Sequence, residues 1–80
     1  MNHVYDVAEW IVYNIEDLGH QYMESASPLP FSIYVKNRVA VAMQHKYSTQ
    51  DIENIFNDDR IKAVINFYQE DIDESKDTLH

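Results

Sequence analysis

Apolar residues recur along the first part of this chain at the spacing of a helix face. Val4, Ala8, Ile11, Ile15, Leu18 and Tyr22 alternate steps of four and three, which is an a/d seam. Val7 and Val12 widen the stripe to the breadth of a core-facing helix, and Tyr5, Trp10 and Tyr13 lie on its flanks. Asn2 can cap the start. Gly19 is a candidate stop, but the seam continues to Tyr22, so the predicted helix ends near Met23.

The stretch ESASPLP (24–30) breaks the pattern. The residue before each proline is pushed away from helical angles, and the serines favour caps and turns. Neither side could bury a core alone, so this is a loop inside one domain. FSIYVKNRVAVAM (31–43) is ambiguous. Phe31, Ile33, Val35, Val39, Val41 and Met43 alternate as two strands would, which gives an α+β alternative with a hairpin at about 31–44. At a period of 3.6 the same stretch offers Phe31, Val35, Val39, Ala42 and Lys46 on one face, with Tyr34 and Val41 beside it. A hairpin here would lack a turn glycine and a third strand, and Pro30 suits a first helical turn. Helix is therefore expected from Phe31 to Lys46.

Two cap-and-staple signals follow. Ser48 and Asp51 form a capping box, flanked by Tyr47 and Ile52 as a hydrophobic staple. Asn57 repeats the pattern with Phe56 and Ile61, and Asp58 and Asp59 suit the positive end of the dipole. These predict a short helix from Thr49 to Phe56, burying Ile52, Ile55 and Phe56. A longer one follows from Asp58 to Ile72, burying Ile61, Val64, Ile65, Tyr68 and Ile72. The expectation is an all-α, compact four-helix domain over residues 1–73, with a frayed acidic tail at 74–80.

RVAVAMQHKYSTQDIENIF (38–56) resembles the helix-turn-helix family of DNA-binding proteins. The resemblance implies a helix-turn-helix-like tri-helical C-terminal part. Ala42 would be the small residue where two helices cross, Tyr47 the apolar residue after the turn, and Ile52 and Ile55 the buried pair of the second helix. Lys46 stands where that family usually has glycine, and His45 where it tends to have an apolar residue. The would-be recognition helix carries Asp51 and Glu53, with Asp58 and Asp59 just beyond it, and no Lys or Arg. Base reading relies mainly on Arg, Lys, Asn and Gln, with cations holding the phosphates. Gln50 and Asn54 could touch bases only against those four carboxylates.

Charge changes the picture most. The 80 residues carry a formal net charge of −8, distributed in blocks. Residues 1–24 hold five acids and no Lys or Arg; 25–47 hold Lys36, Arg38 and Lys46 and no acid; 48–80 hold nine acids against Arg60, Lys62 and Lys76. This pattern predicts a middle segment packed between acidic neighbours. It argues against generic attraction to phosphate backbones or anionic membranes. With no long apolar run and no Lys or Arg at the N-terminus, no membrane span or signal peptide is expected, and a cytoplasmic setting follows.

Chemistry is sparse. There is no cysteine and one glycine, which removes thiolate chemistry and any Gly-rich phosphate loop. His3, His20, His45 and His80 lack metal-ligand spacing, and EDIDE (70–74) lacks the glycine of a calcium loop. No serine is accompanied by a positioned histidine. No enzyme, cofactor or metal is expected. Ten aromatic residues in so small a domain are more than a core can hold, and Tyr and Trp outside a core are enriched at interfaces.

The functional expectation is a small acidic protein–protein interaction module, a regulator or inhibitor of a basic partner. Asp51, Glu53, Asp58, Asp59, Trp10 and Tyr13 are its partner-binding residues. The alternatives are a dimeric DNA-binding regulator using Lys36, Arg38 and Lys46, and an acidic nucleic-acid mimic. The long seam and surplus aromatics also suggest a homodimer.

Overall fold

The computed structural model describes residues 3–78, with side chains as far as Glu74. Its elements are α1 (His3–Ser25), α2 (Phe31–Ala42), α3 (Thr49–Phe56) and α4 (Asp59–Thr78), with no strand among the described residues. Every helix touches the other three. The fold is a small all-α domain, and the hairpin alternative at 31–44 is set aside.

One core joins all four helices. Val7, Ile11, Phe31, Val35, Val39 and Ile61 are fully buried, and Leu18, Tyr22, Ile52, Ile55, Ile65 and Ile72 are nearly so. On α1 the buried line is Val7, Ile11, Leu18 and Tyr22, whereas Val4, Ala8 and Ile15 sit at its margin. The helix is thus rotated slightly from the a/d seam, and Val12 is 48% exposed instead of widening the core. The buried line is spent inside the monomer.

α1 overruns Gly19 and stops at Ser25. Ala26 takes the left-handed turn that a glycine would take more easily, with φ 49°. Tyr22 secures the loop by donating its hydroxyl to the Leu29 carbonyl at 2.6 Å. Its ring also meets those of Phe31 and Tyr34, each at 5.2 Å.

Pro30 occupies the N-cap position of α2, and its carbonyl accepts from the amides of Ile33 and Tyr34. The buried line of α2 is Phe31, Val35 and Val39, as the 3.6 period requires. It continues four residues later at Met43 instead of at Ala42 and Lys46. The helix therefore ends at Ala42, four residues short of expectation, and the amides of Lys46 and Tyr47 turn back onto the Met43 carbonyl. Ala42 is exposed, so it is not the small residue at a helix crossing.

The capping box at α3 forms in both directions: the Ser48 hydroxyl accepts from the Asp51 amide and the Asp51 carboxylate from the Ser48 amide, each at 3.1 Å. Tyr47 and Ile52, the two staple residues, are both buried. At α4 the cap lies one residue later than expected. Asn57 closes α3, and the Asp58 carboxylate accepts from the Arg60 amide at 2.8 Å. α4 continues past Ile72 to Thr78, so the backbone of 74–78 is helical; the rest of the expected tail, 79–80, lies outside the described residues.

Candidate interaction surface

The three cations of the middle segment each contact one of the chain's own side chains. Lys36, on α2, pairs with Glu53 on α3. Lys46, in the α2–α3 turn, donates to Asp6 on α1 at 2.8 Å. Arg38 lies beside the Tyr34 ring, 6.0 Å from its centroid, and within 3.5 Å of its hydroxyl. The central basic block thus reaches one acid in each flanking block, which is the physical content of the acid–base–acid charge pattern.

Asp6 ties two distant parts of the chain together. One of its oxygens accepts from both the Lys46 ammonium and the Tyr47 hydroxyl, at 2.8 and 2.7 Å. The hydrogen bond from Lys46, then that from Tyr47, holds the Asp6 carboxyl below its ordinary value of 3.8. Lys46 is raised by its bond to Asp6, and Tyr47 by its own bond to Asp6 with help from burial. The His3 ring adds a tilted contact on Tyr47 at 5.1 Å. This cluster fastens the start of α1 to the α2–α3 turn. Periodicity offers no signal for such a pairing, since its members lie about forty positions apart.

The six residues expected to bind a partner fall into separate places. Asp51 is committed to the capping box and Glu53 to Lys36. Asp58 caps α4 and also clasps the Arg60 guanidinium through two bonds of 3.0 Å, which lowers its pKa; Arg60's side chain is the larger cause and its amide the next. Asp59 is exposed at the first position of α4 and makes no ion pair with a described residue. Trp10 and Tyr13 share a shallow groove with Asp6, Glu9, Asn14 and Met43. There Trp10 is half-buried and Tyr13 is 89% exposed. The structure brings Trp10 and Tyr13 together and leaves the four acids apart from them.

Sequence reasoning passed over a different set of acids. Glu9, Glu16, Asp17 and Glu24 on α1, and Glu70 on α4, are exposed and make no ion pair with a described residue. The signal for the α1 group was present, since the first 24 residues hold acids and no Lys or Arg.

Helix-turn-helix features are mixed. Tyr47, Ile52 and Ile55 are buried, as the resemblance implies. The connection between α2 and α3, however, spans 43–48, longer than the three- to four-residue turn of that motif. No helix among the described residues is long and apolar enough to cross a membrane. Comparison of the chain with protein-family models, curated proteins and solved structures returns no match.

Proposed function

We propose that this protein is a small acidic interaction module whose partner is a basic protein. The observation that supports this reading is the internal commitment of Lys36, Arg38 and Lys46. With those cations engaged, the surface of α1 carries Glu9, Glu16, Asp17 and Glu24 without compensation. Nucleic-acid affinity comes from cations that neutralise phosphate and release counterions. A partner rich in Lys and Arg meets a complementary field here, which speeds encounter and selects against acidic competitors.

The test is affinity capture from the native host's lysate, with wild-type protein and an E9Q/E16Q/D17N/E24Q variant. The expected result is a basic protein that is released by added salt, is insensitive to nuclease and is reduced with the variant. Capture that depends on nucleic acid would replace this reading with the DNA-binding regulator. A captured nucleic-acid-binding protein that duplex DNA displaces competitively would narrow the module to a nucleic-acid mimic.

A further inference from the structure

Beside its buried line, α1 carries a second, partly exposed line of apolar and small residues. Tyr5, Val12 and Gly19 repeat at seven residues, with Met23 four beyond, so they share one face. Tyr5 is 68% and Val12 48% exposed. The line extends for about 27 Å at the rise of an α-helix. Its C-terminal half opens into a groove of about 710 Å³ between α1 and α4. Ile15, Glu16, Gly19, His20 and Met23 of α1 line one side, and Tyr68, Asp71 and Ile72 of α4 the other.

Gly19 is the informative residue. A glycine inside a helix weakens it, and a Cβ placed there would meet nothing within 4 Å. The protein's own packing therefore gives no reason for a glycine at this position. Its effect is to leave the groove floor bare, where another backbone can approach closely.

We infer that this groove receives an amphipathic helix of a basic partner, with apolar residues at i, i+3 or i+4 and i+7 and Lys or Arg beside them. Charge selects this occupant. Glu9 and Glu16 lie within the same face as Tyr5 and Val12, and α1 has no Lys or Arg. A second copy of this chain would bring another −8 and another acid-only α1 against the first. A helix with flanking cations pairs with those carboxylates while its apolar side covers Val12, Ile15, Met23 and Tyr68. The inference rests on the acidic-module reading and adds the site and the form of the partner.

The experiment titrates ¹⁵N-labelled protein with a Leu/Lys peptide of about three heptads, Leu at the a and d positions. A control peptide of equal composition has its leucines spread around the helix. The expected result is amide shifts centred on Val12, Ile15, Gly19, Met23, Tyr68 and Ile72, with binding about tenfold weaker for the control. Gly19→Trp fills the groove and should weaken binding about tenfold. Val12→Lys, at an exposed position, should do the same through charge, and it serves if the Trp variant fails to fold. Equal binding of both peptides, with shifts following the acids alone, would overturn the groove inference and leave the acidic module standing. Binding of neither peptide would overturn both. Shifts at the groove that grow with protein concentration alone, with sedimentation faster than a 9.5 kDa species, would make the occupant a second copy and overturn the inference.

Discussion

The Tyr47 hydroxyl donates to the Asp6 carboxylate at 2.7 Å, joining residues 41 positions apart. Tyr47 is 6% exposed, and its ring is the apolar half of the staple on α3. One side chain therefore helps to nucleate α3, fills the core and fastens α1. Tyr47→Phe keeps the first two roles and removes the third. It should destabilise the protein by about 1.5–3 kcal/mol, the range for a hydrogen bond to a charged group. Urea unfolding of the two proteins side by side checks this; an unchanged midpoint would show that the bond contributes nothing.

The same cluster sets a pH dependence. Asp6 lies below its ordinary 3.8, so its contribution is present above that pH and is lost as pH falls through the lowered value. Tyr47 and Lys46 lie above their ordinary 10.0 and 10.5, so their contributions are complete below those values and lost as pH rises through the raised ones. Stability should form a plateau between these limits. Asp6→Asn should lower the plateau and flatten the acid limb, measured as urea midpoint against pH. An acid limb as steep as wild type would place its origin in other carboxylates.

Two small residues stand in each other's natural places. Gly19 lies mid-helix with open space beside it, and Ala26 holds the left-handed turn at φ 49°. Gly19→Ala should stabilise by about 0.5–1 kcal/mol by restricting the unfolded chain and favouring the helix. Ala26→Gly relieves a left-handed strain of about 1–2 kcal/mol but restores unfolded-state freedom, for a net gain of at most about 1 kcal/mol. Thermal unfolding of the single and double variants checks both, and the two sites should add because they share no partner.

Capping separates structural acids from available ones. Ser48→Ala should cost about 1 kcal/mol by freeing the Asp51 amide. Neutralising Asp51, Glu53 and Asp58 together should lower the melting temperature, because each is engaged within the chain. Neutralising Glu9, Glu16, Asp17 and Glu24 should leave it unchanged or raise it by relieving like-charge repulsion. Equal thermal losses in the two sets would contradict that division.

The helices themselves were legible because their causes are local. Phe31, Val35 and Val39 recur at one helical spacing, Ser48 and Asp51 form a reciprocal cap, and Pro28 and Pro30 bound a loop. What escaped depends on packing or distance. α1 has two adjacent apolar lines, and pattern alone does not say that Val7 and Ile11 turn inward while Val12 stays out. The end of α2 follows from Met43 taking the next core position, which turns the chain and lets Lys46 reach Asp6. Asp51, Glu53 and Asp58 looked available because a count of charges does not include partners. Lys36 and Arg60 are those partners for Glu53 and Asp58, and the Ser48 amide occupies Asp51.

The central claim is that Lys36, Arg38 and Lys46 serve this chain's own fold, while the unpaired acids of α1 serve a partner. Fluorescence anisotropy of a labelled random DNA duplex, titrated with wild-type protein in physiological salt, tests it most directly. The account predicts no binding through the micromolar range, because Lys36 and Lys46 are held by Glu53 and Asp6 and the free surface of α1 is acidic. Saturable binding at submicromolar protein, weakened by replacing Lys36, Arg38 and Lys46 with glutamine, would contradict it.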